Sequence, residues 1–309
     1  MTGSPSEATS WRARVVDLGY AAGWRVLRSV PEPVAAAAFR VGADVAARRG
    51  DHSQLRRNLA RVLAVTPENV PADAVRASLR SYARYWREVF RLPATDVSEL
   101  LGRVRMVGVE HLDDALAAGR GVVLVLPHSG NWDVAGVWMV AHTGGFTTVV
   151  ERLQPESLFR RFVAYREALG FEILPLTGGE SPIRGLVRRL RAGGAVCLVG
   201  DRDLSRAGVP VTLFGAATRM PAGPAKLARS TGAALLPVHC WFTDTGWAVR
   251  ICPPVDRSLG VQAATQAVAD RFAEGITAHP ADWHMLQPLW LADLPRRDRD
   301  RLTAAAGPA

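Results

Sequence analysis

Lysine is all but absent from this chain: Lys226 is the only one in 309 residues. The positive charge is therefore arginine charge, and an Arg- and Ala-rich, Lys-poor composition is what a high-GC bacterial genome produces. Cysteine is nearly as scarce. Cys197, Cys240 and Cys252 are odd in number, far apart and without CxxC spacing. That pattern argues against a disulfide framework and against a cysteine zinc site, and it fits a reducing cytoplasm. Long apolar runs are missing too. The longest stretch free of Asp, Glu, Lys and Arg is 134–150, and Gly144-Gly145 breaks it. A bilayer span needs roughly 20 apolar residues. The opening MTGSPSEATS has no basic segment leading into an apolar run, so no secretory leader is expected. Any work on a membrane is expected from one side, with the protein peripheral on the cytoplasmic face.

What is present is globular. With 48% hydrophobic residues, the chain can bury one substantial core, or one core with a small helical subdomain. The formal net charge of +9 suits an anionic partner: nucleic acid, an acidic membrane surface or a phosphorylated substrate. Composition does not choose among them. No RRM, zinc-finger or helix-turn-helix signature is visible, so nucleic acid is not expected.

Residues 1–10 are expected to be a loose tail and 11–92 helical. The segment 11–27 places Val15, Leu18, Ala22 and Val26 at helical spacing among Arg12, Arg14 and Arg25. Basic amphipathic helices of this kind can lie in a membrane interface. A later stripe of Val75, Leu79, Tyr82, Tyr85, Trp86, Val89 and Phe90 predicts a core-facing helix. From about residue 104 short strands alternate with helices, and 121–126 is a continuous apolar strand of the type buried on both faces. Segments 233–242 and 248–252, joined by Asp244-Thr245-Gly246, are expected to pair as a hairpin. The fold class is therefore α/β: a central mixed, mostly parallel sheet flanked by helices, with N-terminal amphipathic helices. The expected organisation is a helical membrane-associating region over 1–95 and an α/β domain over 96–309, in one compact unit. Residues 295–309 have the composition of a charged, frayed end.

The segment Gly119 to Asp133, GRGVVLVLPHSGNWD, carries the chemistry. A buried strand runs into Pro127-His128-Ser129-Gly130-Asn131, and a helix follows. Sites in open α/β sheets form at the carboxyl ends of strands. His128 and Asp133 can meet only if His128 precedes the helix and a turn folds it back, because residues five apart on one helix are rotated by roughly 140°. Ser129-Gly130-Asn131 suits that turn and the following cap. Asp133, in the first helical turn, is then expected to accept the Nδ1–H of His128 and leave Nε2 as a base. The plain alternative is a histidine capping the helix. Spacing alone decides nothing, since seven histidines and 29 acidic residues give roughly 0.7 such pairs by chance. His239 and Asp244 repeat the spacing in an apparent strand without a Gly-Asn turn, and they are assigned to packing.

HSGNWD, with its leading apolar strand, resembles the His-x₄-Asp signature of the glycerolipid acyltransferase superfamily, and most of all the branch of the lipid A late acyltransferases. Downstream, Glu151-Arg152 with Arg166 and Gly170 resembles a second block, thought to meet the acceptor. Asp201-Arg202-Asp203 with Phe214-Gly215, Thr218 and Pro221-Ala222-Gly223-Pro224 resembles a third. Pro237 resembles a fourth-block proline, and Pro280 and Trp283 a C-terminal P-x-x-W element. Leu213 stands where the family's first Phe of an FFG element is expected. The resemblance covers roughly 104–290, and the whole chain looks most like the members that acylate phosphatidylinositol mannosides.

That resemblance implies transfer of a palmitoyl-type chain from acyl-CoA to a mannose 6-hydroxyl of phosphatidylinositol mannoside. It implies catalysis by His128 and Asp133, with Asn131, Glu151, Arg152, Arg166, Asp201 and Arg202 as substrate contacts. Acyl-CoA is the cosubstrate, an anionic glycophospholipid the acceptor and the inner-membrane surface a partner; no further cofactor and no metal is expected. Without a GxSxG elbow, direct attack is expected instead of a covalent acyl-enzyme. The alternatives are acyl transfer to a lysophospholipid, glycerol phosphate or another glycolipid, an acyl-CoA thioesterase, and a non-enzymatic basic protein. For Arg184, Arg188, Arg189 and Arg191 a solvated helix face is weighed above contacts to CoA phosphates. Helix 132–141 is apolar nearly all round and is expected to be buried, with Trp138 and Met139 in the core or along an acyl channel.

Overall fold

The computed structural model describes residues 28–150, 156–175, 181–205 and 207–303. The amphipathic segment expected over 11–27 and the residues Glu151 and Arg152 lie outside them. Helices come first: α1 (Glu32–Arg49), α2 (Ser53–Val62), α3 (Ala72–Arg91) and α4 (Val97–Gly102). Glu32 pairs with Arg91 and Asp44 with Arg80, so α1 and α3 run antiparallel. The stripe on α3 is buried at Val75, Leu79, Tyr85 and Val89, as its helical spacing predicts.

Strand and helix then alternate through β1 (Val104–Val107), α5 (Val109–Ala117), β2 (Val122–Leu126), α6 (Trp132–Thr143), β3 (Phe146–Val150), α7 (Glu156–Ala168), β4 (Phe171–Pro175), α8 (Pro182–Arg191) and β5 (Ala195–Val199). A hairpin β6 (Val209–Leu213) and β7 (Ala216–Met220) follows, then α9 (Gly223–Thr231), β8 (Ala234–Phe242), β9 (Trp247–Ile251), α10 (Val261–Ala278) and α11 (Arg296–Thr303). The main sheet has the order β1-β9-β8-β2-β5-β3-β4. Strands β8, β2, β5, β3 and β4 pair in parallel. The expected hairpin forms: β9 is antiparallel to β8, and β1 is parallel to β9. The sheet is thus mixed and mostly parallel, with helices on both faces.

Strand β2 lies in the middle and is buried on both sides. Leu124 and Leu126 face α6 together with Leu236 and Val238 of β8. Val123 and Val125 face the opposite layer with Leu190, Leu235 and Phe272. This is why β2 reads as an unbroken apolar run. Two expectations change. The hairpin β6–β7 was not anticipated; Phe214 and Gly215 form its turn with positive φ of 51° and 71°. Residues 296–303 are helical, not frayed, because Leu302 is buried and anchors them.

Leu236 is fully buried under α6. Leu236→Ala should lower unfolding free energy by about 2–5 kcal/mol, read by denaturant titration.

Candidate active site

Strands β2 and β5 are neighbours in register, with Leu126 opposite Val199. Two residues beyond that last pair stand His128 on one strand and Asp201 on the other. The topology therefore delivers both side chains to the same point on the carboxyl edge of the sheet. His128 Nδ1 lies 2.6 Å from Asp201 Oδ1. The main-chain N–H of His128 donates to Asp201 Oδ2 at 3.0 Å, and the indole Nε1–H of Trp283 donates to the same oxygen at 3.0 Å. With Nδ1–H donating to the carboxylate, Nε2 is left as the nitrogen that can take a proton.

This corrects the expected partner. Asp133 is not bonded to His128. It is buried in the first turn of α6 and accepts Nε and Nη2 of Arg166 at 2.7 and 3.1 Å and the Tyr85 hydroxyl at 3.2 Å. The backbone between His128 and Asp133 does fold back, through Gly130 at φ 57°. A Cβ there would lie 2.6 Å from the Cys240 carbonyl carbon, so only glycine fits. That turn aims the His128 ring at β5, not at its own helix.

Asn131 is corrected in the same way. It is the N-cap of α6, accepting the Val134 N–H at 3.1 Å, and its amide donates to Glu88 Oε2 at 2.8 Å. Its side chain holds the helix start, with both oxygen and amide engaged within the protein. Arg166, expected at the acceptor, is the counterion of Asp133. Arg202 lies beside His128, its Nε donating to the Pro288 carbonyl at 3.0 Å. Arg189 donates to the Gly145 carbonyl at 2.7 Å. The main-chain N–H groups of Ser129 and Gly130 donate to the Pro127 and Asp282 carbonyls, so they do not form an anion hole here. His239 is buried in β8, as its assignment to packing expects. Glu88, Tyr85 and Trp283 complete the surroundings of the site. For Tyr85 the sequence offered only a place in the apolar stripe, for Glu88 nothing.

Electrostatics follow from this geometry. Burial of the His128 ring opposes its charged form. The charge and hydrogen bond of Asp201 outweigh that, with Arg202 opposing, so the pKa of His128 is raised. Burial likewise works against the charge of Asp201, but the imidazole, its hydrogen bonds and the Trp283 N–H hold the carboxyl below its usual range. Arg166 behaves alike: Asp133 more than offsets burial and keeps it charged. Burial pushes the thiol of Cys197 up, with Cys240 adding to it, so this side chain stays protonated and is no nucleophile.

Two cavities lie at this end of the sheet, and His128 lines one of them. A slot between α6 and the sheet is lined by Met106, Leu124, Gly136, Met139, Cys197 and Ile251, with the paired Asp133 and Arg166 also on its walls. A groove of about 1170 Å³ opens over the sheet edge, with His128, Arg202 and Lys226 among its walls. Trp132, Val149, Val150, Arg166 and Val199 border both, so slot and groove share walls. Gly136 keeps the slot's roof close to the sheet: a Cβ there would lie 2.4 Å from the ring of Phe171. A half-exposed histidine on a groove with cationic walls, close to a largely apolar slot, suits transfer of an apolar group to a polar acceptor. Among the described residues, no three His, Cys, Asp or Glu side chains gather as a metal site.

Residues 7–292 match the family of bacterial lipid A biosynthesis acyltransferases; the chain belongs to that family and is an acyltransferase. It is 61% identical over 291 residues to the phosphatidylinositol mannoside acyltransferase of Mycolicibacterium smegmatis, across 94% of this chain and 96% of that one. Its identity to the phosphatidylinositol mannoside acyltransferase of Mycobacterium tuberculosis H37Rv is 58% over 290 residues, 93% of this chain and 92% of the other. A lipid A biosynthesis acyltransferase of Haemophilus influenzae is 23% identical over 203 residues, 64% of this chain and 61% of its own.

The two aspartates should separate experimentally. Asp201→Asn should lower kcat by roughly 10²- to 10⁴-fold, because the tautomer of His128 is no longer fixed. Asp133→Asn strands a buried guanidinium and should cost about 3–5 kcal/mol of unfolding free energy. Steady-state rates and denaturant unfolding on both variants check this.

Proposed function

We propose that this enzyme moves a long-chain, palmitoyl-type acyl group from acyl-CoA to a mannose 6-hydroxyl of phosphatidylinositol mannoside. The observation that carries the reading is the position of His128, held by Asp201 on the wall of the groove that borders the slot. The slot takes the acyl chain. Its two methionines, Met106 and Met139, are flexible enough to fit an alkyl chain. The groove takes the polar substrates, with Arg202 and Lys226 as cationic contacts for their phosphates. The names of the relatives that match over nearly the whole chain support the acceptor.

The reaction is a direct transfer. Nε2 of His128 removes the proton from the acceptor hydroxyl, and that oxygen attacks the thioester carbonyl. The new C–O bond forms, the C–S bond breaks, and the imidazolium returns its proton to the leaving thiolate of CoA. Asp201 holds the tautomer throughout and stabilises the transient imidazolium. Asp133 acts one step removed: its bond with Arg166 fixes the first turn of α6 and the wall between slot and groove. No metal or further cofactor takes part in this scheme.

The work is placed at the cytoplasmic membrane surface. Val34, Val41 and Val45 form an exposed apolar stripe on α1, and the net charge of +9 favours anionic lipid. Among the described residues, no helix is long and apolar enough to cross a membrane.

Purified protein with labelled palmitoyl-CoA should acylate phosphatidylinositol mannoside in preference to lysophospholipid or water. His128→Ala should abolish that transfer while the protein still folds, read by a cooperative unfolding transition. Preference for lysophospholipid or water would sink the acceptor assignment, and transfer surviving in His128→Ala would sink the mechanism. A second series tests the slot. Cys197 lines it, so Cys197→Phe should move the preferred donor from palmitoyl-CoA toward lauroyl-CoA, read by competing the two thioesters.

A further inference from the structure

Trp283 lies far from His128 in sequence and is fully buried beneath it. It belongs to a short strap that follows α10 and the turn Pro280–Asp282. The strap grips the catalytic loop from below at three consecutive residues. The Gly130 N–H donates to the Asp282 carbonyl at 2.9 Å. Trp283 forms a β-bridge with Ser129. The His284 N–H donates to the His128 carbonyl at 2.7 Å. The indole then reaches past the loop to Asp201.

We propose that Trp283 is a positioning residue for acyl transfer, its indole N–H locking the Asp201 carboxylate in the orientation that steers the imidazole of His128. The inference rests on His128 being the base. A carboxylate bonded at one oxygen only can swing about its Cβ–Cγ axis. Here Oδ2 takes two donors, the His128 main chain and the Trp283 indole, at an angle set by two different chain segments. That leaves Oδ1 aimed at Nδ1. Two donors on Oδ2 also draw charge away from Oδ1, which moderates how strongly the carboxylate favours the imidazolium.

Other charged and titratable groups around the ring are few. Arg202 flanks it in the groove and opposes its protonation. His284 packs below and is kept neutral, its pKa lowered to about 3 by burial first and by His128 second. The Asp133–Arg166 pair lies one helical turn away and is internally balanced. Trp283 is therefore the donor whose loss would act on Asp201 without adding or removing a formal charge.

Trp283→Phe keeps the ring in place and deletes the N–H. Trp290→Phe is the matched control: Trp290 is equally buried and donates to the Leu213 carbonyl at 2.9 Å, with no contact to Asp201. Trp283→Phe should lower kcat by roughly 10-fold to 100-fold, the range for one hydrogen bond to a charged group. KM should stay within about twofold. The acid limb of kcat/KM should move to higher pH by roughly half a unit, since a less moderated carboxylate holds the proton on His128 more tightly. In an Asp201→Asn background the same substitution should cost nothing further, because both act through one carboxylate. A profile and kcat that match Trp290→Phe would overturn the proposal, as would full multiplication of the two losses. If Trp283→Phe fails to fold, the unaltered protein decides. Its Trp283 indole N–H proton resonance should titrate with the acid limb while that of Trp290 stays still, and a stationary Trp283 signal refutes the proposal. His128→Ala separates the levels. Retained transfer there removes the base itself, whereas abolished transfer beside a silent Trp283→Phe removes only this inference.

Discussion

The parallel register of β2 with β5 is the constraint on which the site depends. Hydrogen bonds between these strands run to Leu126 and Val199, and the next two residues on each lead to His128 and Asp201. A register slip of one residue would turn one of those side chains to the other face of the sheet. The apolar burial of β2 on both sides makes such a slip costly, since Leu124 and Val123 belong to different core layers. The chemistry is thus positioned by core packing several ångströms below it. The loops that carry the two groups need only a short reach.

The two aspartates show how one kind of side chain takes two tasks through its surroundings. Asp201 keeps one oxygen for the imidazole of His128. Asp133 is occupied on both oxygens by a guanidinium that never loses its proton. A buried ion pair of that sort contributes little net stability, but breaking it leaves an uncompensated charge. Its use here is geometric. It ties α7 to the first turn of α6, and with Tyr85 it brings α3 to the same point. Glu88 adds a second tie, accepting the amide of Asn131 and the indole of Trp247. The helices ahead of the sheet are therefore part of the site's frame.

Much of this was legible in the sequence. Alternation of apolar runs and helical stripes gave the α/β class, the central β2, the late hairpin β8–β9 and the core face of α3. The loop after β2 was legible because a strand, a Gly-Asn turn and a helix occur in immediate succession. The partner of His128 was not. Asp201 had the same local signature, a charged residue just past a buried strand, but which strands are neighbours is a non-local property that no spacing encodes. Proximity along the chain favoured Asp133, and the turn at Gly130 sent the ring elsewhere. The hairpin β6–β7 carried a readable signal in the alternation of Val209, Val211 and Leu213, which the polar and proline residues between them obscured. The buried ties from Glu88 and Trp283 join residues 43 and 82 positions away from their partners, beyond any local pattern.

The strap beneath the catalytic loop has a consequence for biosynthesis. Its residues 282–284 follow His128 by more than 150 positions, so they leave the ribosome well after the strand that bears it. Until the strap arrives, the loop lacks its main-chain partners and Asp201 lacks one of its donors. The nascent chain therefore cannot complete the site until that segment has been made. The geometry around His128 thus waits on a segment made long after the strand it supports, which ties completion of the site to the docking of that segment.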